Sequence, residues 1–507
     1  MELTSRRSNG RRCAILTLWV LALMNFSGML QLVQADRKQG SAPWIGEETR
    51  TARLLHRDAP GSPFREEKVS NADLCASRLA RDEARVRYLY AAGAVESNHG
   101  GSFEYHAPVH SGNSLTGIGD GEYFTTVGLG SGSKQYAMIL DTASSLTWLQ
   151  CSSGKRCSKQ LDSSSFDPSA SATFRNVSCA SPLCSSFGNC SAVTAGGDGG
   201  QCFYSVKYGE DSLRTGRLVT DTFFLGESSV SGMAFGCASA EVMAGLGGAA
   251  AGSLALGAGP LAFPSQLAAQ RGEDTHIKSG ATFCYCLPSV SSAASFLSFK
   301  SPRQLPIESP SYPLSPPSQN GNQPTSPIFI SMSILKNSFF PMYYYVPLIG
   351  ISVGGEPLLF PADVFAMDPV TGRGGVVIDT VYHDMSFTFR TAVSESPVAA
   401  RVLRPAPPTA ELDTCYHVNS SDMSTLNTYP TDIPSIQLRF AGGDLTLPTE
   451  NVLLVKNDSA NPILVCLAFS PPASTAPFYI LGNVQQQGFR LTYDSGNILT
   501  VEGPRHC

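Results

Sequence analysis

Two segments of this chain share one local grammar. "YAMILDTASS" (136–145) and "GGVVIDTVYH" (374–383) each run an apolar strand into Asp-Thr. Each is followed, roughly a hundred residues later, by an apolar turn rich in glycine: "SLALGAG" (253–259) and "YILGNVQQQG" (479–488). Self-similarity at that spacing points to a duplicated lobe, so the chain should fold as two related halves.

The intervening sequence reads as short strands and turns. "EYFTTVGLG", "QYAMIL", "SLTWLQ", "CFYSVKYG" and "RLVTDTFFL" are β-branched and aromatic runs divided by Gly, Ser and Asp, and strands resume at "MYYYVPLIGISV", "SIQLRF" and "YILGNV". With 47 glycines and 34 prolines in 507 residues, turns are plentiful and long helices few. Residues 301–328 hold eight prolines and read as an extended connection. The expected organisation is a signal peptide at 1–35, a propeptide at 36–115, an N-terminal lobe at 116–300, the Pro-rich connection at 301–328 and a C-terminal lobe at 329–507.

The N-terminus indicates where the chain folds. Arg6, Arg7, Arg11 and Arg12 precede the apolar run "CAILTLWVLALM", and "VQA" then offers a small-residue cleavage site, the pattern of a secretory signal. Residues 36–110 carry 11 basic and 11 acidic side chains, about twice the charge density of residues 111–507, and include an amphipathic helical pattern. A charged, helix-forming segment ahead of an acidic β-rich body reads as a removable pro-region. Six of the 14 cysteines fall within Cys151–Cys202, as expected of disulfides made in an oxidising compartment. A zinc site is the rival reading, but these cysteines lack neighbouring histidines. Beyond the signal segment, four Asn-x-Ser sequons, at Asn176, Asn189, Asn419 and Asn457, permit glycosylation. The expectation is a protein delivered to the extracellular space or the vacuole, with no stable membrane insertion. Thirty-six basic against 41 acidic residues, with no basic stripe, argue against nucleic acid as a partner.

A buried strand that ends in Asp is costly unless the carboxylate is hydrogen-bonded or used in chemistry. Asp141 and Asp379, placed equivalently in two lobes, would meet at the interface between them. Two adjacent carboxylates share one proton; the ionised one can take a proton from water while the other polarises a carbonyl. That is general acid–base hydrolysis without a covalent intermediate. A single Asp-Thr reads more simply as a turn cap; the matched pair favours chemistry. "GISVG" (350–354) matches a serine nucleophile elbow, but the adjoining "GGEPLLFP" reads as a hairpin rather than the helix such an elbow needs.

On these segments the chain resembles the pepsin-like aspartic endopeptidases, specifically the plant nepenthesin type, over residues 54–507. "LLHRDAPGSPF" is similar to that group's propeptide signature, "LDTASSLTWLQC" to its first active-site segment and "YGEDS" to its flap. "YCLP", "YYVPLIGISVGG", "LDTCY", "CLAF" and "ILGNVQQQGFRLTYD" match in order. The resemblance implies an all-β, bilobal pepsin-like fold with an active-site cleft between two pseudo-symmetric β lobes. It implies catalytic carboxylates at Asp141 and Asp379, bracing threonines at Thr142 and Thr380, and Ser144 bonded to the outer oxygen of Asp141. Tyr208 would be the flap tyrosine, steadied by Trp148. A monomer cutting an extended polypeptide in the cleft at acidic pH, with no metal or organic cofactor, is the expectation.

The chain departs from that pattern where glycine is expected after each Asp-Thr. Here the segments read Asp141-Thr142-Ala143-Ser144 and Asp379-Thr380-Val381-Tyr382. Ala143 fits if its φ is negative; the β-branched Val381 is expected to be hard to seat in a tight loop. Tyr382 moves the hydroxyl away from Asp379. Ala255 and Asp211 also stand where glycine is usual, and Cys284 is extra to the family's cysteines. The alternative function is therefore a catalytically impaired relative that keeps the cleft as a binding surface and acts as a binding or inhibitor protein, an outcome for which plant xylanase inhibitors of this fold look like a precedent.

Overall fold

The structure is a computed structural model. It describes Tyr105–Ser111 and, between residues 123 and 503, all but 153–164, 188, 191–199, 209–211, 227, 239–249, 271–280, 289–294, 301–327, 362, 382–384, 387–402, 409–411, 413, 420–432, 458–461, 471–476 and 495. The signal segment, the amphipathic helix of the pro-region and the Pro-rich connection lie outside the described residues.

Strands dominate because the apolar runs are short, β-branched and punctuated by turns. Only three α-helices occur among the described residues: Pro182–Phe187, Phe263–Ala269 and Asn483–Gln486. One fifteen-stranded sheet carries the N-terminal half and continues into the C-terminal half. The join is the antiparallel pair Thr282–Cys286 with Arg490–Tyr493, in register Tyr285 to Leu491. Four smaller sheets complete the C-terminal half, giving the two β lobes that the repeated motif implied. Tyr105–Ser111, within the span read as propeptide, pairs with Tyr123–Leu129 on one side and Ser295–Lys300 on the other.

The aspartate-bearing strands run into the interior. Lys134–Asp141 is exposed at its first two residues and buried over its last four. It pairs antiparallel with Tyr123–Leu129 and parallel with Gly252–Ala255, in register Asp141 to Ala255. Val376–Ile378 repeats the arrangement between Tyr345–Val346, antiparallel, and Tyr479–Leu481, parallel, in register Ile378 to Leu481. Each apolar-and-Gly turn noted in the sequence thus comes directly after the parallel neighbour of an aspartate strand.

Disulfides join Cys151 to Cys237, Cys184 to Cys202 and Cys415 to Cys466, while Cys284 is a buried free thiol. No cluster of metal-ligating side chains occurs among the described residues, and no described helix is long and apolar enough to cross a membrane. Ser352 lies in Leu348–Val353, a strand that hairpins through Gly354 and Gly355, both at positive φ, so it is not on a nucleophile elbow.

Candidate active site

Asp141 ends its strand, and Asp379 is the first residue after its own. The Leu256 N–H donates to the Asp141 carbonyl (2.7 Å), and the Asp379 N–H donates to the Leu481 carbonyl (3.2 Å). Beyond each aspartate the chain turns so that the amide two residues on donates back to the carboxylate. Ala143 N–H reaches Asp141 Oδ1 at 3.0 Å, and Val381 N–H reaches Asp379 Oδ1 at 2.8 Å. A backbone donor to a carboxylate oxygen is a charge-assisted bond that fixes the plane of the group. Both carboxylates are nearly out of solvent, with Asp141 3% exposed and Asp379 0%.

The two loops brace each other through their threonines. The Thr142 N–H donates to Thr380 Oγ1 (3.2 Å), and the Thr380 N–H donates to Thr142 Oγ1 (3.1 Å). The hydroxyls continue across: Thr142 donates to the Ile378 carbonyl (3.3 Å) and Thr380 to the Leu140 carbonyl (2.9 Å). This two-fold exchange brings the segments that carry Asp141 and Asp379 face to face. Replacing Thr380 by Val leaves the buried Thr142 N–H and Leu140 carbonyl short of a partner. A loss of about 2–3 kcal/mol in urea unfolding is expected, with Thr380→Ser close to wild type.

The expected difficulty at the glycine positions does not arise. Among the described residues only Ser133 and Asn497 combine a side chain with positive φ, so Ala143 and Val381 sit in ordinary backbone conformations. Val381 is 8% exposed and clusters with Phe124, Ile139 and Ala250. Ala143 is fully buried among Met342, Tyr343, Tyr345, Val377, Phe478 and Ile480. Close approach is instead required of Gly257, whose N–H donates to the Ser144 carbonyl (2.9 Å). A Cβ there would lie 2.6 Å from the Ser144 carbonyl oxygen and 2.8 Å from that of Met342.

The other residues named from the sequence occupy varied settings. Ser144 is buried, and its hydroxyl donates to the Leu146 carbonyl (3.5 Å), a different partner from the Asp141 oxygen that the resemblance implied. Trp148 is buried in Trp148–Gln150, which lies between Gly252–Ala255 and the parallel strand Ser228–Ala238. Tyr208 ends Cys202–Tyr208 opposite Ser212, at the tip of a hairpin with Ser212–Leu225. The side chain of Tyr208, and Asp211, Tyr382 and His383 altogether, lie outside the described residues.

Sequence reasoning missed the supports beneath the Asp379 loop. Gln486 Nε2 donates to the carbonyls of Asp379 (3.0 Å), Leu481 (3.0 Å) and Gly482 (3.1 Å). Its Oε1 accepts from the Tyr285 hydroxyl at 2.7 Å, and Tyr285 meets Tyr493 at 3.1 Å. Asn483 Nδ2 donates to the Thr380 carbonyl (3.0 Å). On the other loop, the Tyr344 hydroxyl donates to the Leu256 carbonyl (2.9 Å). Burial pushes the phenols of Tyr285, Tyr344 and Tyr493 well above their usual range, so all three stay neutral. The available signal was "NVQQQ" after an apolar turn, a polar run too rich in amides to be left unsatisfied once buried.

Comparison with known proteins matches residues 123–300 to a family model described as xylanase inhibitor N-terminal and residues 343–498 to one described as xylanase inhibitor C-terminal. Aspartyl protease family protein 2 of Arabidopsis thaliana is 33% identical over 475 residues, covering 90% of this chain and 85% of that protein. Aspartic proteinase nepenthesin-2 of Nepenthes gracilis is 30% identical over 475 residues, covering 90% of this chain and 93% of that protein. Among solved structures, that of EDGP superposes with a TM-score of 0.58 at 18% identity, over 80% of this chain and 96% of that one. Basic 7S globulin from soybean superposes with a TM-score of 0.53 at 17% identity, over 79% and 95%.

Proposed function

Because the chain belongs to the plant family of pepsin-like aspartic proteases, we propose that it is an aspartic-type endopeptidase in which Asp141 and Asp379 activate a water. An extended polypeptide lies between the lobes. One carboxylate takes a proton from the water as its oxygen attacks the scissile carbonyl, and the other donates a proton to the carbonyl oxygen. Collapse of the tetrahedral intermediate breaks the C–N bond, and the amine leaves with a proton. Since the pair must hold one proton between its two carboxylates, the rate peaks at acidic pH and falls on either side. The chain is made with a signal and a propeptide, is secreted, and matures by losing the latter.

The observation that carries this reading is the matched holding of the two carboxylates. Each accepts from the amide two residues on, and the threonines between them exchange hydrogen bonds across the lobes. A second reading, a cleft kept for binding alone, draws support from the family models' description as xylanase inhibitor domains. Digestion of a denatured protein in ¹⁸O-labelled water, with and without hydroxylamine, tests the mechanism: the label reports hydrolysis by either route, and the hydroxylamine arm separates them. One labelled oxygen in each new C-terminus, and no hydroxamate when hydroxylamine is added, is expected of direct attack by water. Hydroxamate formation would reveal an acyl-enzyme and contradict the assignment.

A further inference from the structure

The residues at the two glycine positions are arranged reciprocally. Val381, two residues after Asp379, clusters with Ile139, two residues before Asp141, and with Phe124, the register partner of Ile139. Ala143, two residues after Asp141, clusters with Val377, two residues before Asp379. Each loop therefore sends an apolar side chain into the opposite half, onto the strand that delivers the other aspartate. In each case that same residue supplies the N–H that its own aspartate accepts.

We propose that Val381 is a positioning residue for Asp379. Its isopropyl group is anchored in the N-terminal half, and the anchored backbone holds the N–H that orients the carboxylate. Glycine at this position would supply the same N–H with no anchor. The backbone at Val381 is unstrained, so the side chain adds packing without the conformational cost that glycine would relieve. Ala143 plays the same part for Asp141 with a single methyl, and its smaller size makes the seat beside Asp379 the more dependent on its side chain. The seats are unequal as well: Val381 enters a cluster with three buried partners, and Ala143 one with six. This inference rests on the proposed function, since positioning matters only if the carboxylate acts.

The test measures kcat and KM separately in Val381→Gly, Val381→Ala and Val381→Ile, alongside a thermal unfolding cycle that combines Val381→Ala with Ile139→Val. The expected result is a kcat reduced about tenfold or more in Val381→Gly with KM changed less than about twofold. Val381→Ala should be intermediate and Val381→Ile close to wild type, and the paired Tm losses should be non-additive. A folded Val381→Gly protein with unchanged or raised kcat overturns the inference and leaves the protease reading standing. A wild-type chain that cleaves nothing removes the protease reading instead. Additive Tm losses overturn the anchor whichever way activity falls. If Val381→Gly does not fold, Val381→Ala carries the kinetic comparison.

Discussion

Asp379→Asn is expected to fold and to lose cleavage by about 10³-fold or more. The side chain is fully buried and its Oδ1 accepts the Val381 N–H. An asparagine oxygen still accepts that bond, without the charge assistance, and the threonine brace beside it uses only Thr142, Thr380 and main-chain groups. What is lost is the ability to hold or pass a proton, which an amide cannot do at the pH of the reaction. The check is kcat/KM on a denatured protein substrate, with urea unfolding run on the same preparation. Residual activity within about tenfold of wild type in a folded protein would remove Asp379 from the chemistry.

Gln486→Leu should be the most damaging change that replaces neither aspartate. The amide spreads its donors over the carbonyls of Asp379, Leu481 and Gly482, and its oxygen receives the Tyr285 hydroxyl. All of this lies in the interior, with Gln486 2% exposed and Tyr285 0%. A leucine of similar volume fills the space and abandons those partners, each unmet buried group costing about 1–3 kcal/mol. Relaxation recovers part of the sum, so a loss of about 3–5 kcal/mol in urea unfolding is expected, together with a fall in kcat as the Asp379 loop loses its floor. Tyr285→Phe removes only one of these bonds and should cost about 1–2 kcal/mol. A Gln486→Leu protein as stable as wild type would mean that the network is incidental to the loop.

Much of the fold was legible in the sequence, and the reason is local chemistry. Apolar runs ending in Asp-Thr, each with a glycine turn at a matching distance downstream, announced a duplicated lobe; that each turn begins at the parallel neighbour of an aspartate strand came from the structure. "GLGSG" (128–132), a glycine-rich run between two β-branched and aromatic segments, forms the turn between Tyr123–Leu129 and Lys134–Asp141. In "YYY" (343–345), Tyr343 and Tyr345 are buried in an aromatic cluster with Phe478, and of the three only Tyr345 lies in a strand.

The features that stayed hidden depend on partners far away along the chain. Tyr344 belongs to the same run, yet its hydroxyl serves Leu256 in the other half, a role that alternation alone cannot give. Gln486, in the helix Asn483–Gln486, meets Tyr285 because the strand that follows it, Arg490–Tyr493, pairs with Thr282–Cys286 across the join between halves. Val381 looked like a steric fault because a glycine position in a turn suggests a left-handed backbone. The structure keeps φ negative there and gives the side chain a seat on the opposite lobe. Cys284 remains a thiol because its register neighbours, Ser298 and Thr492, offer it no second sulfur.

Cleavage of a denatured protein by the mature wild-type chain, measured from about pH 2.5 to about pH 6 with and without pepstatin, tests the central claim most directly. Cleavage that peaks at acidic pH, is suppressed by pepstatin and disappears in Asp141→Asn is the result this account predicts. A folded, propeptide-free protein that leaves the substrate intact throughout that range would contradict it, and would assign the cleft to binding.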